Sequence, residues 1–304
     1  LISITVEHLS KSYENIRALN DISFEISRGE LFGFIGPDGS GKTTLFRFLT
    51  SLLVPQSGTV IVEGLDVVRD YKKLRSLLGY MPGHFSLYPD LTVAENLDFF
   101  ASIFGTTIAT SYDLIRDIYV QIEPFKNRLA GQLSGGMKQK LALSCALIHK
   151  PTVLILDEPT TGVDAISRVE FWEMLKKLQT EGITIVVSTP YMEEAGQCDR
   201  VALIQFGNIL KIATPTEVIN EYQQQLFAVK SENTYKLLSD LKQFNQTKTA
   251  FPFGQSVHFT PNVDSFAPAE LVEFLKRHEH RDPIVCAIEP GIEDCFMELM
   301  AVAP

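Results

Sequence analysis

The sequence predicts an α/β fold: a parallel sheet covered on both faces, with an antiparallel β subdomain, an inserted helical subdomain and a small α+β domain at the C-terminal end. Three observations carry this. Residues 30–53, "ELFGFIGPDGSGKTTLFRFLTSLL", read as a buried strand, a glycine-rich loop and a helix with Leu45, Phe48, Leu49 and Leu52 at helical spacing. Farther on, "PTVLILDEP", "SRVEFWEMLKKLQTEG" and "ITIVVST" follow as strand, helix and strand, the alternation of a parallel sheet. In the first thirty residues, apolar and polar positions alternate through "ISITVEHL" and "DISFEI" with a turn at "SRGE", which reads as antiparallel strands.

The remaining elements follow in order. "SGTVIVEG" is a hairpin, and residues 92 to about 149 are almost wholly helical, interrupted at Gly105, Pro124 and Gly131. The helix after "VLILDEP" turns Trp172, Leu175 and Leu178 inward. Near residue 220 the pattern changes to short alternating strands around an amphipathic helix. "PAELVEFLKRHEH", "PIVCAIEP" and "IEDCFMELM" then follow as helix, strand and helix. The expected domains are 1–220, with the helical subdomain at about 92–149, and 221–304.

At 304 residues, 45% hydrophobic and 21% charged, the chain is long enough for two domains with a sizeable core. A net charge of −10 leaves no positive excess to displace counterions from a nucleic-acid backbone, which argues against nucleic acid as main partner. The basic spot "YKKLR" reads as a solvated face. Cys145, Cys198, Cys286 and Cys295 lack C-x-x-C spacing, so free thiols in a reducing compartment are expected. No run approaches the roughly 20 apolar residues of a spanning helix, so the chain is not expected to cross a membrane itself. The first residue is Leu1 rather than Met, as in a piece of something longer or a chain with a trimmed terminus.

Several motifs carry chemistry. Gly36 to Thr43 fits G-x-x-x-x-G-K-[ST], with Pro37, Asp38, Gly39, Ser40 and Gly41 inside the loop and Thr44 following. Its glycines let backbone N–H groups and a helix N-terminus face phosphates, Lys42 meets the terminal oxygens, and Thr43 offers a hydroxyl to Mg²⁺. Asp38 adds a negative charge there, which weakens binding slightly unless it points to solvent or to Lys42. "VLILDEP" ends a buried strand with two carboxylates: Asp157 to hold the metal and Glu158 to polarise an attacking water. Alone, "DEP" also fits a helix start. In "LSGGMKQK", Ser134 caps a helix whose inward face is Met137, Leu141, Ser144 and Ile148, and Gly135 and Gly136 expose its N–H groups to an anion.

The order of these motifs, closing with "LILDEPTTGVD", resembles the nucleotide-binding subunits of ATP-binding-cassette (ABC) transporters over residues 2 to about 220. The resemblance implies the P-loop NTPase cassette fold, with ATP and Mg²⁺ as ligands. It implies that the signature loop, Leu133, Ser134, Gly135, Gly136 and Met137, acts in trans on ATP held by a second cassette. By the same resemblance Tyr13 stacks on adenine, although a surface tyrosine in a loop is an ordinary alternative. Asp164 in "TTGVD" communicates between the two sites, or caps the next helix, or both.

Two positions depart from the family. Gly83, in "LGYMPGHFSLYPDL", stands where a glutamine usually reaches Mg²⁺, with His84 next in line as a substitute or a solvated loop residue. Pro190 stands where a switch histidine usually contacts the γ-phosphate, and it lacks both a polar side chain and an N–H. Binding parts and base are thus kept while two sensors are missing.

"GPDGSGKTT", "GYMP", "SLYPDLTVAENL", "LSGGMKQKLAL" and "MEEAGQCDR" are most similar to the ABC-2 export branch, especially first cassettes of tandem chains, and "GIEDCFMELM" resembles the close of the small domain after them. The implied role is the ATPase motor of an ABC-2 type exporter. It would lie at the cytoplasmic side of the membrane, with a permease and a second cassette as partners, possible either in one longer chain or as a homodimer. Two alternatives stand beside it: a dimerisation module holding ATP structurally, and a non-transport ABC ATPase acting on ribosomes or DNA. The acidic balance and the lack of a long coiled-coil insertion count against the latter. "HEH" at 278–280, with Cys286, is a weak metal-binding pattern.

Overall fold

The structure is a computed structural model describing residues 1–302 apart from Phe85 and Asp264, with side chains to residue 300. It divides into two compact units, Leu1–Pro215 and Thr216–Pro304. The division falls five residues before the change of pattern in the sequence, because a short helix starts there.

In the first unit the elements run β1 (Ile2–Tyr13), β2 (Ile16–Ser27), β3 (Leu31–Ile35), α1 (Lys42–Leu49), β4 (Ser57–Val62), β5 (Leu65–Asp66), α2 (Tyr71–Arg75) and β6 (Leu78–Met81). They continue as α3 (Val93–Ile103), α4 (Ile108–Tyr119), α5 (Gly135–Leu147), β7 (Val153–Asp157), α6 (Ala165–Thr180), β8 (Thr184–Thr189), β9 (Arg200–Gln205) and β10 (Asn208–Ala213). The central sheet has the order β10-β9-β3-β8-β7-β6, parallel except for β10. Strands β3, β7 and β8 are buried at every residue, which is why they read as unbroken apolar runs.

A second sheet, β2-β1-β4-β5, is antiparallel. Its alternating pattern buries one face: Ile4, Val6, Phe24 and Ile26 join Phe34 of β3 and Phe46 of α1 in one core. Phe34 meets Phe24 edge-on at 5.1 Å between centroids and Phe46 at 5.8 Å, the aromatic geometry that adds specificity to area burial. Helix α1 is thereby fixed behind the loop that precedes it.

The helical segment comprises α3, α4 and α5 with 3₁₀ turns at Glu123–Phe125 and Ala130–Gln132, where the sequence has its proline and glycine breaks. Thr92 and Glu95 form a reciprocal capping box that starts α3. In α6, Trp172, Leu175 and Leu178 are buried. In α5, Leu141 and Ser144 are buried, as is Ile148 directly after the helix, while Met137 is half-exposed at the helix start.

Helix α7 (Pro215–Asn220) begins at the division, and the second unit continues with β11 (Phe227–Lys230), α8 (Thr234–Leu241), β12 (Thr247–Phe253), β13 (Ser256–Pro261), α9 (Pro268–Arg277), β14 (Ile284–Ala287) and α10 (Ile292–Val302). The order β12-β13-β11-β14, all antiparallel, is the ferredoxin-like split βαβ arrangement. Phe227, Val229, Val257 and Phe259 of the sheet pack on Leu237, Leu241, Leu271 and Leu275 of α8 and α9. The "HEH" histidines have protein partners. His278 Nδ1 lies 2.9 Å from Phe274 O, and the buried His280 bridges Asp240 Oδ2 (2.9 Å) and Ser231 Oγ (2.7 Å). Among the described residues no cluster of three or more His, Cys, Asp or Glu is arranged to hold a metal.

Candidate functional site

Three adjacent parallel strands end together. Ile35 of β3 pairs with Thr189 of β8, and Ser188 of β8 pairs with Asp157 of β7, so the loops after all three open on the same edge. In an open α/β sheet this carboxyl edge is where ligands bind.

The phosphate loop is held by contacts only glycine permits. A Cβ on Gly36 would lie 2.1 Å from Ile204 O of β9, and one on Gly41, which has φ +108°, would lie 2.4 Å from Ala18 O of β2. Gly36 N–H donates to Thr189 O at 3.3 Å, and Gly207 N–H donates to Ser40 O at 2.9 Å. The loop is therefore anchored to β8, β9 and β2 together.

Lys42, the first residue of α1, is 3% exposed. Its ammonium donates to Gly36 O (2.8 Å) and Pro37 O (3.0 Å) and lies 3.5 Å from a Glu158 carboxylate oxygen. Asp38 points to solvent, so its charge is not spent on Lys42. Ser40 Oγ is buried without a partner. An orphaned hydroxyl inside a glycine-lined turn at a helix N-terminus, beside a buried cation, fits the phosphates of a nucleoside triphosphate. Thr43 is exposed and Thr44 half-exposed in the same first turn.

Opposite the loop, the buried Asp157 accepts from Ser188 Oγ at 2.6 Å through one oxygen. Glu158 N–H donates to Ser188 Oγ (2.9 Å) and Ser188 O (3.1 Å). These bonds hold Glu158 at φ +49°, a left-handed conformation costly for a non-glycine residue, and aim its carboxylate toward Lys42. Thr43, Gly83, His84, Asp157 and Glu158 line one cavity of about 440 Å³ with Tyr80. An oxygen-seeking Mg²⁺ fits the Thr43 hydroxyl and the Asp157 carboxylate there. Burial, and secondarily the Asp157 charge, pushes the Tyr80 phenol up to about 12, so it stays a neutral donor beside the acids.

The two departures fall in this region. Gly83 is exposed, and a Cβ there would stand 3.2 Å from Asp157 O, tight but open to adjustment. Pro190 follows β8 directly, beside Thr189, whose hydroxyl accepts from Tyr191 N–H at 3.0 Å.

None of the signature residues Leu133 to Met137 lines that cavity. Ser134 caps α5 by accepting from Met137 N–H (3.3 Å), and Ser134 and Gly135 are exposed. Gly136 is buried against Ser167, whose Oγ a Cβ would meet at 2.6 Å. Asp164 caps α6 through Ser167 N–H (3.0 Å), and the hydrogen bonds from Ser167 hold its exposed carboxyl below the usual range. Tyr13 ends β1, partly exposed, with the Lys11 ammonium 5.0 Å from its ring centroid.

Sequence reasoning assigned no role to Ser188, Thr189, Glu194 or Arg168. The one available signal was that an apolar strand run ends in two hydroxyl residues.

Residues 19–161 match the family model described as ABC transporter. The chain is 36% identical over 219 residues to a Nod factor export ATP-binding protein I of Burkholderia lata, covering 71% of this chain and 72% of that one. It is 38% identical over 309 residues to a probable multidrug ABC transporter ATP-binding protein of Escherichia coli, YbhF, covering 99% of this chain but 52% of the relative, so the chain spans about half of that relative's length. Among solved structures, the dimeric post-hydrolysis state of the ATP-binding cassette MJ0796, bound to ADP and Pi, superposes with a TM-score of 0.63 at 26% identity, over 69% of this chain and 98% of that one. The first unit has the ABC cassette fold, and the chain belongs to the family of ABC transporter ATP-binding proteins.

Proposed function

We propose that the chain is an ATP-binding and ATP-hydrolysing unit of an ABC-2 type exporter, peripheral to the cytoplasmic side of the membrane. Its own site is weakly hydrolytic, and its signature loop completes the site of a second cassette. One observation carries this. Lys42, Thr43, Asp157 and Glu158 converge at the strand ends, while the two neighbouring sensor positions are Gly83 and Pro190, which offer no side-chain donor.

In this reading the phosphate-loop N–H groups, Ser40 and Lys42 bind the triphosphate, and Tyr13 takes the base. Asp157 is oriented by Ser188, and Glu158 receives the proton of the attacking water. Mg²⁺, when bound, neutralises charge on the phosphates. Without a histidine at position 190 the attacking water lacks one preorganised contact, so binding outlasts turnover. The exposed Ser134 and Gly135, which do not line this cavity, support action on a partner's nucleotide.

A permease partner is supported by an apolar groove of about 610 Å³ lined by Met81, Leu87, Phe100, Ile103, Phe104 and Ala146 among others. Exposed Ile103 and Phe104 on its rim have the character of an interaction site. Leu52 and Tyr80 line both this groove and the nucleotide cavity, one side-chain layer apart. Tandem pairing is supported by the relative of about twice this length.

The test is steady-state ATPase of the isolated chain beside retention of labelled ATP. Retention with turnover indistinguishable from Glu158→Gln is expected. Robust turnover abolished by Glu158→Gln would overturn the weak site.

A further inference from the structure

Glu194 is 3% exposed, in the 3₁₀ turn Met192–Gln197 that follows Pro190. Its Oε2 accepts from Thr189 Oγ1 (2.5 Å) and Thr160 Oγ1 (3.0 Å), the residues flanking the two catalytic strand ends. Its Oε1 is buried with no hydrogen bond, and so is Arg168 Nε; the two face each other at 3.7 Å. A buried carboxylate oxygen and a buried guanidinium N–H, both unmatched, are each costly, and a shift of under an ångström would satisfy both.

Arg168 is held in that approach by other groups. Its Nη1 donates to Glu193 at 3.2 Å, and its guanidinium lies 4.4 Å from the Tyr191 ring centroid. It sits in the first turn of α6, next to Ser167, which packs on Gly136 of the signature loop, and one turn from the Asp164 cap. One helical turn thus touches the strand-end turn of the chain's own ATP site on one side and the signature loop on the other. Packed elements with two discrete arrangements are what carry coupling between sites.

We infer that Arg168 is a positioning residue: the Arg168–Glu194 pair closes to a hydrogen bond when ATP occupies the Lys42 site, and shifts α6 and with it the signature loop. This rests on the nucleotide-site reading above and gives the weakly hydrolytic site a task. Its occupancy sets the geometry with which Ser134 and Gly135 meet the partner's nucleotide. Lost turnover is then no loss of function, because the signal needs only binding.

The chain has one tryptophan, Trp172, buried in α6 four residues after Arg168 and hence on the same face. Its emission reports on α6 without any need for turnover. The full chain is titrated with MgATP while Trp172 fluorescence is recorded, and ATP retention is measured in parallel by equilibrium dialysis. Wild type should show a saturable change in emission. Arg168→Ala and Glu194→Gln, the latter keeping an oxygen for Thr160 and Thr189, should lose most of that change while ATP affinity stays within about threefold. Arg168→Lys, which keeps charge without the planar fork, should be intermediate. An emission change in Glu194→Gln equal to wild type overturns the coupling, as does ATP retained by wild type with no change at all. Absence of ATP retention would instead overturn the nucleotide site itself, and the coupling with it.

Discussion

Replacing Pro190 by histidine should raise ATP turnover at the chain's own site by about 100- to 1000-fold, the inverse of the effect of removing one preorganised donor from a transition state. The position is right for it: Thr189 O accepts from Gly36 N–H, so residue 190 leaves β8 beside the phosphate loop, and it is partly exposed. The substitution adds an imidazole and an N–H where proline has neither. Single-turnover rates at saturating MgATP, with affinity measured separately, isolate the chemical step. Pro190→Ala controls for loss of the ring constraint and should gain little. Adding Gly83→Gln should help further but less, because its Cβ must settle 3.2 Å from Asp157 O before the amide can reach the metal position. A gain from Pro190→His below about tenfold would mean that the site is limited elsewhere.

Gly36→Ala should abolish ATP binding and destabilise the first unit by about 3 kcal/mol, the upper end of the overpacking range. The added methyl would stand 2.1 Å from Ile204 O, a backbone atom of β9, and no side-chain rotation relieves it. β3 is paired with β9 at Ile35 and Leu203, so the strand pair or the loop must move, and either displaces Lys42 and Ser40. Gly39→Ala is the contrast. A Cβ there has nothing within 4 Å, and only its φ of +77° opposes it, at about 1–2 kcal/mol. Denaturation midpoints and ATP dialysis on both variants separate a crowded glycine from a merely left-handed one.

What was legible in the sequence was whatever repeats at short range. Unbroken apolar runs at β3, β7 and β8, alternation in β1 and β2, and helical spacing in α1 and α6 each state their burial locally, except that α1 stops at Leu49 and leaves Leu52, expected on it, exposed. The phosphate loop was legible because its chemistry is contiguous. The strand orders were not, since β4 joins β1 and β13 lies between β11 and β12 through pairings that no local pattern records. The same limit applies to the site's supports. Ser188 and Asp157 lie 31 residues apart, and Glu194 and Thr160 lie 34 apart; only the parallel register brings them together. Arg168 carried no local signal, because its partners Tyr191, Glu193 and Glu194 come from the segment after Pro190 rather than from its own helix.

The central claim is that this chain holds ATP which it scarcely cleaves while helping to cleave another's. The most direct measurement takes the chain assembled with its second cassette, supplied with an azido-adenine ATP labelled in the α-phosphate. After many overall turnovers it is photolysed, and the nucleotide attached to the Tyr13-containing peptide is identified. Uncleaved triphosphate there, with diphosphate on the partner's corresponding peptide, is the expected result. Diphosphate forming on the Tyr13 peptide as fast as the assembly turns over would contradict it.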